Sequence, residues 1–315
     1  MKTQEGPQSL MEAVQFFSDA DACHAYMASL KWPDGKIVCP QCGSANVGTI
    51  KSRRMYQCRS VDCRKQFSSK VGTIFEDSPI PLTKWFVAVW CLTNAKNGIS
   101  SYELHRAIRV SQKSAWFMLH RIRHAMKTGT FKKFKGAVEA DETYIGGKAI
   151  NMHRSRRAKA IAGTGGFGKA IVHGLLERSS TKGASRVKAS VIPDTKLKTV
   201  QPILCESIEA GSHLYTDMAA AYQRFDSDAF VHEKIDHAVE YVRGQVSTNG
   251  LENFWSLLKR SIKGTYVSVD APHLGRYVDE QVFRFNERKG TDADRFATVM
   301  PQIVGKRLTY KTLTQ

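Results

Sequence analysis

Residues 247–263 read STNGLENFWSLLKRSIK, and this stretch predicts an amphipathic helix. Its apolar residues recur at the three- and four-residue steps that bring side chains to one face of a helix: Leu251, Phe254, Trp255, Leu258 and Ile262. A second face carries polar residues at similar steps: Glu252, Ser256, Lys259 and Lys263. A carboxylate in the first turn is therefore aligned with an amine two turns later.

Glu252 has two interpretations on this stretch alone. Asn249 and Glu252 fit a capping box, in which Asn249 is the N-cap and Glu252 its N3 partner. Lys259 would then only complement the C-terminal end of the helix dipole. The alternative is a catalytic Glu252, which the residues upstream of this helix favour.

The composition predicts a globular protein with a polyanionic partner. The chain has 315 residues, a formal net charge of +18 and 42% hydrophobic residues, enough for a sizeable core and two domains. The basic residues are spread along the chain, which favours nucleic acid over a membrane surface. The N-terminus has no apolar signal segment, and the longest apolar run, residues 85–92, is too short to span a bilayer. We expect a soluble, cytoplasmic protein without a membrane partner.

Four clustered cysteines predict a structural zinc site in a ribbon over residues 36–72. In a reducing compartment, a Cys-x-x-Cys knuckle followed by a second pair suits a tetrahedral thiolate site, with the ligands Cys39, Cys42, Cys58 and Cys63. Gly43 suits the tight turn of the first knuckle, and the wider spacing of the second pair predicts a looser one. The isolated cysteines at 23, 91 and 205 are expected to be small core residues.

Residues 1–35 and 79–130 are predicted to be helical, and the second segment resembles a helix-turn-helix. Its last helix carries the predicted DNA contacts Lys113, Arg121 and Arg123. Any small helical bundle would show the same pattern. In the ribbon, Arg53 and Arg54 would either follow DNA phosphates or keep a small zinc module soluble.

From residue 137 the periodicity changes to that of strands. AVEADETYIGG predicts a strand with Glu139 and Asp141 on one face, and runs at 170–176 and 186–192 predict two more. A helix over 197–209 and a short strand ending at Asp217 follow, then a helix MAAAYQRF and a strand at 239–242. The Gly-rich segment 151–169 is expected to be a flexible hairpin connection that is able to touch DNA. His237, close to the site or simply packed, stays open.

Asp141, Asp217 and Glu252 would converge at one edge of a mixed sheet flanked by helices. Three carboxylates with little local compensation repel one another unless divalent cations bind between them, and Mg²⁺ prefers such oxygen ligands. Two ions would activate a hydroxyl nucleophile and stabilise the leaving oxygen of a phosphodiester. Lys259 would contact a phosphate of the substrate as a point charge.

The order of DETYIGGK at 141, YTDMAAAY at 215 and TNGLENFWSLLKR at 248 resembles the DDE transposases of bacterial insertion sequences. CPQCG at 39 makes it similar to the zinc-ribbon branch related to Merlin-type transposons, and the likeness covers residues 10–290. The resemblance implies an RNase H-like α/β core over 135–290 that uses Mg²⁺, with Mn²⁺ as an alternative, to cleave element ends and to attack target DNA with a 3′-hydroxyl. It implies Asp141, Asp217 and Glu252 as metal ligands and Lys259 as their basic companion. Some members use an asparagine as the third residue, so Asn249 or Asn253 would assist or replace Glu252.

The resemblance also sets the expected partners and the alternatives. The partners would be double-stranded DNA, as terminal inverted repeats and target, and a second copy of the chain. Arg260 is a further predicted DNA contact. Glu139 and Glu142, which flank Asp141, are treated as secondary to it as candidate ligands. Residues 291–315 are predicted to form a basic tail that is disordered or closes the fold. Two other functions remain open: a nuclease that cuts without joining, and a DNA-binding regulator with an inactive core.

Overall fold

A computed structural model describes residues 6–127, 132–146, 168–179, 185–217, 229–235 and 248–315. The chain divides into two compact units, one of Met1–Lys127 with Gly290–Gln315 and the other of Thr128–Lys289. The predicted helix MAAAYQRF, the strand at 239–242, His237 and nearly all of the Gly-rich connection lie outside the described residues. Among those described, no helix combines the length and the apolar character needed to cross a membrane.

The helices and strands are numbered here in chain order. The described helices are α1 (Leu10–Phe16), α2 (Ala20–Lys31), α3 (Leu82–Asn94), α4 (Ser101–Ile108), α5 (Gln112–Met126), α6 (Leu197–Ser207), α7 (Asn249–Arg260), α8 (Ala271–Asn286), α9 (Asp292–Val299) and α10 (Tyr310–Thr314). The described strands are β1 (Val47–Ile50), β2 (Met55–Cys58), β3 (Gln66–Phe67), β4 (Ala137–Ile145), β5 (Ala170–Glu177), β6 (Arg186–Ile192), β7 (His213–Asp217) and β8 (Val231–Ile235).

An aromatic core holds the first unit together. The ring of Phe296 on α9 lies 5.2 Å from that of Phe17 and 5.4 Å from that of Trp90 on α3. The backbone N–H of Ile74 donates to the carbonyl of Ile303 at 3.1 Å. Residues 291–315 therefore form helices and belong to the core of the first unit. Of the two predictions for this segment, a disordered tail is wrong.

The ribbon of the first unit is a three-stranded antiparallel sheet in the order β1-β2-β3. The ring of Trp32, at the end of α2, packs edge-on at 5.4 Å from Tyr56 and at 6.4 Å from Phe67. These aromatic contacts give the small sheet an apolar side, with Cys39 and Cys58 in the same buried cluster.

The second unit is built on a mixed five-stranded sheet in the order β6-β5-β4-β7-β8. β4, β5 and β6 are antiparallel neighbours, whereas β4, β7 and β8 run parallel. Because side chains alternate along a strand, Val138 and Ala140 face Leu204 of α6 on one side of the sheet. The other side is covered by α7 and α8, with Phe254 and Leu258 of α7 fully buried. The predicted mixed α/β fold with an N-terminal zinc ribbon is confirmed.

Candidate active site and zinc site

Helix α7 begins one residue earlier than the predicted capping box would require. Its N-cap is Thr248, which makes no side-chain capping hydrogen bond, so Asn249 is the first helical residue and Leu251 occupies N3. Glu252 therefore stands one position beyond N3 and is exposed. The interpretation of Asn249 and Glu252 as a capping box is wrong, which leaves the carboxylate of Glu252 without that structural role.

Strand β4 and helix α7 enclose an open depression of about 460 Å³. The described residues that line it are Asp141, Glu142, Thr143, Glu252, Trp255, Ser256 and Lys259. Asp141 is thus brought together with Glu252 and Lys259, which come much later in the sequence. The predicted polar face of α7 is the face turned to the depression. Among these residues the carboxylates outnumber the amine, so the depression is acidic within a basic chain.

Trp255 fixes the carboxylate of Asp141. Its indole Nε1–H donates to Oδ2 of Asp141 at 2.8 Å, and the backbone N–H of Glu142 donates to Oδ1 at 2.8 Å. Gly174 pairs with Asp141 across β4 and β5, and a Cβ at Gly174 would lie 2.6 Å from the indole ring. The sequence placed Trp255 only in the apolar stripe of α7, because nothing local reveals the partner of its N–H.

The backbone brings Asp217 beside Asp141. Thr216 pairs with Ala140 in the parallel ladder of β7 and β4, and Asp217, the last residue of β7, takes the next position along. β7 therefore ends beside the middle of β4, and its last residue, Asp217, lies next to Asp141, which lines the depression.

Glu139 is a buried acid that sequence reasoning treated as secondary. The residue is 2% exposed, its Oε1 accepts from Nε of Arg178 at 2.7 Å, and its Oε2 accepts from the backbone N–H of Leu251 at 2.9 Å. Burial raises the pKa of Glu139 against the opposing effects of Arg178 and of the N–H groups of Leu251 and Gly250. Both carboxylate oxygens are therefore engaged within the protein.

The four predicted zinc ligands form one cluster. Their sulfur atoms all lie within 4.8 Å of one another, with 3.7 Å from Cys39 to Cys63 and 3.6 Å from Cys42 to Cys58. Tetrahedral coordination with Zn–S bonds of about 2.3 Å places sulfurs about 3.8 Å apart, so the cluster fits the metal. Burial opposes ionisation of Cys39, but the N–H groups of Cys42 and Gln41 lower the pKa of that thiol to about 7.

The two knuckles differ as their spacing predicts. Gly43 is in the left-handed region with φ +71° and donates its N–H to the carbonyl of Cys39 at 2.8 Å. In the second knuckle the N–H of Cys63 donates to the carbonyl of Ser60 at 3.2 Å, and Arg64 takes a left-handed conformation with φ +49°. The longer loop thus closes on the same cluster.

Comparison with known proteins identifies the family. Residues 133–286 match the family described as the ISXO2-like transposase domain, and residues 18–66 match the transposase zinc-ribbon domain. A transposase-like protein of Haemophilus influenzae is 30% identical over 101 residues, which cover 32% of this chain and 81% of that protein. The chain belongs to the ISXO2-like transposase family.

A second relative extends the similarity along most of the transposase. A protein in transposable element ISH50 of Halobacterium salinarum is 29% identical over 277 residues, covering 84% of this chain and 88% of the relative. The predicted resemblance to insertion-sequence transposases with a zinc ribbon is confirmed. Family membership indicates a DNA-processing enzyme, and the ribbon together with the cysteine cluster supports structural zinc.

The basic residues predicted to contact DNA in this transposase fall into two groups. Arg53, Arg54 and Lys113 are exposed, as is Arg260 at the end of α7. Nε of Arg54 is paired with Asp21 at 2.5 Å. Lys113 lies 4.9 Å above the ring of Tyr310. These side chains remain candidates for phosphate contacts.

Arg121 and Arg123 are buried, with 5% and 1% of their surfaces exposed, which corrects the prediction that they contact DNA. Arg121 instead donates to three backbone carbonyls, those of Leu308, Ile74 and Glu76. Cys205 is another correction, because it is exposed rather than a core residue. Cys23 is buried as expected, and burial raises the pKa of its thiol to about 12.

Proposed function

We propose that this protein is a DDE transposase that cleaves DNA at the ends of an insertion sequence and joins the resulting 3′-hydroxyl to target DNA. Asp141, Asp217 and Glu252 hold two Mg²⁺ ions, or Mn²⁺, on an RNase H-like core. The observation that carries the proposal is the acidic depression in which Asp141 and Glu252 meet beside Lys259. The position of Asp217 next to Asp141 in the sheet supports Asp217 as the second ligand.

The residues fit a divalent cation. Carboxylate oxygens are the ligands that Mg²⁺ prefers, and like charges this close are stabilised by a cation between them. Bound there, Mg²⁺ supplies activation of the attacking oxygen and stabilisation of the leaving oxygen. Trp255 holds the carboxylate of Asp141 in one orientation, and Lys259 binds a phosphate oxygen of the substrate. Neither Asn249 nor Asn253 is among the described residues lining the depression, which favours Glu252 as the third ligand.

The proposal is tested with labelled element-end DNA, target DNA and Mg²⁺. We expect cleavage and joining by the wild-type protein, and loss of both in Asp217→Ala and Glu252→Gln. Glu206→Gln, an exposed acid on α6 outside the depression, is the matched control and should keep full activity. Asn253→Ala should also stay active, whereas its inactivation together with an active Glu252→Gln would move the third ligand to an asparagine.

The same experiment separates the alternative functions. Cutting without joining would identify a nuclease, and binding without cutting in Mg²⁺ or Mn²⁺ would leave a DNA-binding regulator. Because two element ends must be joined to one target, we also expect at least a dimer on DNA. Light scattering of the complex with element-end DNA measures that stoichiometry.

A further inference from the structure

The first turn of α7 is capped by a residue from another element. Thr248 provides no side-chain cap, and the carboxylate of Glu139 on β4 accepts the N–H of Leu251 at 2.9 Å instead. The N–H groups of a helix start lack partners within the helix, and a carboxylate there also meets the positive end of the helix dipole. Glu139 thus performs for α7 the role that an N-cap side chain performs elsewhere.

A second contact repeats this attachment one helical turn further on. Trp255 donates to Asp141, two residues along β4 from Glu139 and on the same face of the strand. Four residues of helix rise about 6 Å, and two residues of strand span about 6.6 Å, so the two spacings match. We call these two contacts, Glu139 with Leu251 and Asp141 with Trp255, the clasp.

Two glycines allow the clasp to close. A Cβ on Gly250 would lie 2.9 Å from Oε2 of Glu139 and 2.9 Å from Cδ1 of Leu176. A Cβ on Gly174 would lie 2.6 Å from the indole of Trp255. A side-chain carbon does not approach other heavy atoms this closely, so a side chain at Gly250 would displace the carboxylate of Glu139 and Leu176, and one at Gly174 would displace the indole.

We propose that Glu139 is a positioning residue that sets where Glu252 stands relative to Asp141. Glu252 follows Leu251 directly, so the hydrogen bond at Leu251 fixes the turn of α7 that carries it. Glu139 itself is paired with Arg178 and is not among the described residues that line the depression. The inference rests on the proposed function, because the distance that Glu139 would control is the one between Asp141 and Glu252 as proposed metal ligands.

Three variants separate positioning from ligation. Glu139→Ala removes the cap and leaves the N–H of Leu251 without its acceptor. Glu139→Gln keeps the shape and one acceptor oxygen, so it should largely rescue the site. Gly250→Ala removes no charge and no hydrogen-bonding group, yet it should displace the same turn. Gly275→Ala on α8 is the matched control, because a Cβ there meets open space.

The measurement is Mn²⁺ binding to the full chain by electron paramagnetic resonance, beside the joining assay and thermal unfolding. Residues that support metal ligands typically change metal affinity about 10- to 100-fold, and we expect that loss in Glu139→Ala and in Gly250→Ala. The double variant should be little worse than either single one, because both act on one contact. Glu139→Gln should bind within a few-fold of wild type.

Two results would overturn the proposal. Loss of Mn²⁺ binding in Glu139→Gln as complete as in Glu252→Gln would make Glu139 a ligand. Wild-type Mn²⁺ affinity in folded Glu139→Ala and Gly250→Ala would show that the clasp does not position the site.

A second readout does not depend on the proposed chemistry. If the wild-type protein neither binds Mn²⁺ nor joins DNA, the proposed function fails, and amide hydrogen exchange still tests the clasp. Exchange at Leu251 should accelerate in Glu139→Ala while the last turns of α7 stay protected. Equal protection at Leu251 in wild type and variant would contradict the capping role itself.

Discussion

Replacing Arg121 by methionine tests whether this residue serves the fold or the DNA. The substitution keeps an unbranched apolar stem and removes the guanidinium. Nε of Arg121 donates to the carbonyl of Leu308 at 3.0 Å, and Nη1 donates to those of Ile74 and Glu76 at 2.9 and 2.8 Å. The ring of Phe117 lies 4.4 Å below the guanidinium and would still pack against the methionine.

The expected loss of stability follows from these hydrogen bonds. Three hydrogen bonds from a charged donor contribute about 1.5 kcal/mol each, or about 4.5 kcal/mol together. Burial lowers the pKa of Arg121, which shows that the buried charge itself is costly, and the variant avoids that cost. We expect a net loss of about 3 kcal/mol, which lowers the melting temperature of a unit of this size by about 6–12 °C.

The assay compares unfolding with DNA binding for Arg121→Met and for Arg106→Met, an exposed arginine on α4. Below its melting temperature, Arg121→Met should keep the DNA affinity of the wild type and the same salt dependence. Arg106→Met should keep the stability. If Arg121 bound a DNA phosphate, its replacement would instead reduce the salt slope by about one. That slope change, with stability within about 0.5 kcal/mol of wild type, would refute the structural role.

Three further predictions concern other parts of the chain. Cys63→Ser, or a strong chelator that is removed again before Mn²⁺ is added, should remove the zinc measured by mass spectrometry and abolish DNA binding. Either treatment should leave Mn²⁺ binding intact, because the depression lies in the other unit. Burial lowers the pKa of His173 to about 4, with Lys188 acting in the same direction, although Glu142 lies 3.8 Å away. As the pH falls below about 6.5, this histidine takes up a proton in the unfolded chain before it does so in the folded protein. The unfolding free energy of the wild type should therefore fall by about 2 kcal/mol between pH 7.5 and 5 in denaturant titrations. His173→Asn should lack this part of the pH dependence. Val267 has φ +63° and ψ −55°, which strains a β-branched residue, so Val267→Gly should raise the unfolding free energy by about 1 kcal/mol in the same titrations.

The parts of the site that the sequence could predict are those governed by local periodicity. Helical spacing placed Glu252 and Lys259 on one face of α7, and the depression is lined by both. Strand alternation put Glu139 and Asp141 on one face of β4, and both now contact α7. Such patterns repeat over a few residues and hold whenever the element forms.

The contacts between elements could not be predicted in the same way. The hydrogen bond from Leu251 to Glu139 joins residues 112 apart, and that from Trp255 to Asp141 joins residues 114 apart. Both depend on how α7 lies against β4, which the pattern of either element alone does not specify. The sequence therefore identified Trp255 as apolar and Glu139 as secondary.

The error at Arg121 has the same origin. A basic residue on an amphipathic helix usually lies on the solvent face, and the sequence of α5 alone gives no reason to bury it. The Leu308 carbonyl that accepts from it comes 187 residues later, in a segment whose composition is that of a basic tail. Arg121 is thus buried in part by the C-terminal segment, which belongs to the first unit although it follows the second in the sequence.

The acids around β4 can be sorted by how their charges are balanced. Glu139 is buried, and Arg178 with the first turn of α7 balances its charge inside the protein. Glu252 is exposed in the depression, where Asp141 adds to the negative potential and Lys259 is the one cation among the described lining residues. A buried acid balanced by the protein suits a structural role, because its charge has no need of a ligand. Acids gathered at a surface depression favour a bound cation, and a phosphodiester is repelled from that surface until the cation arrives. On the proposed function, the basic excess of the chain would therefore hold DNA without divalent ions, whereas reaction at this edge of the sheet would require them.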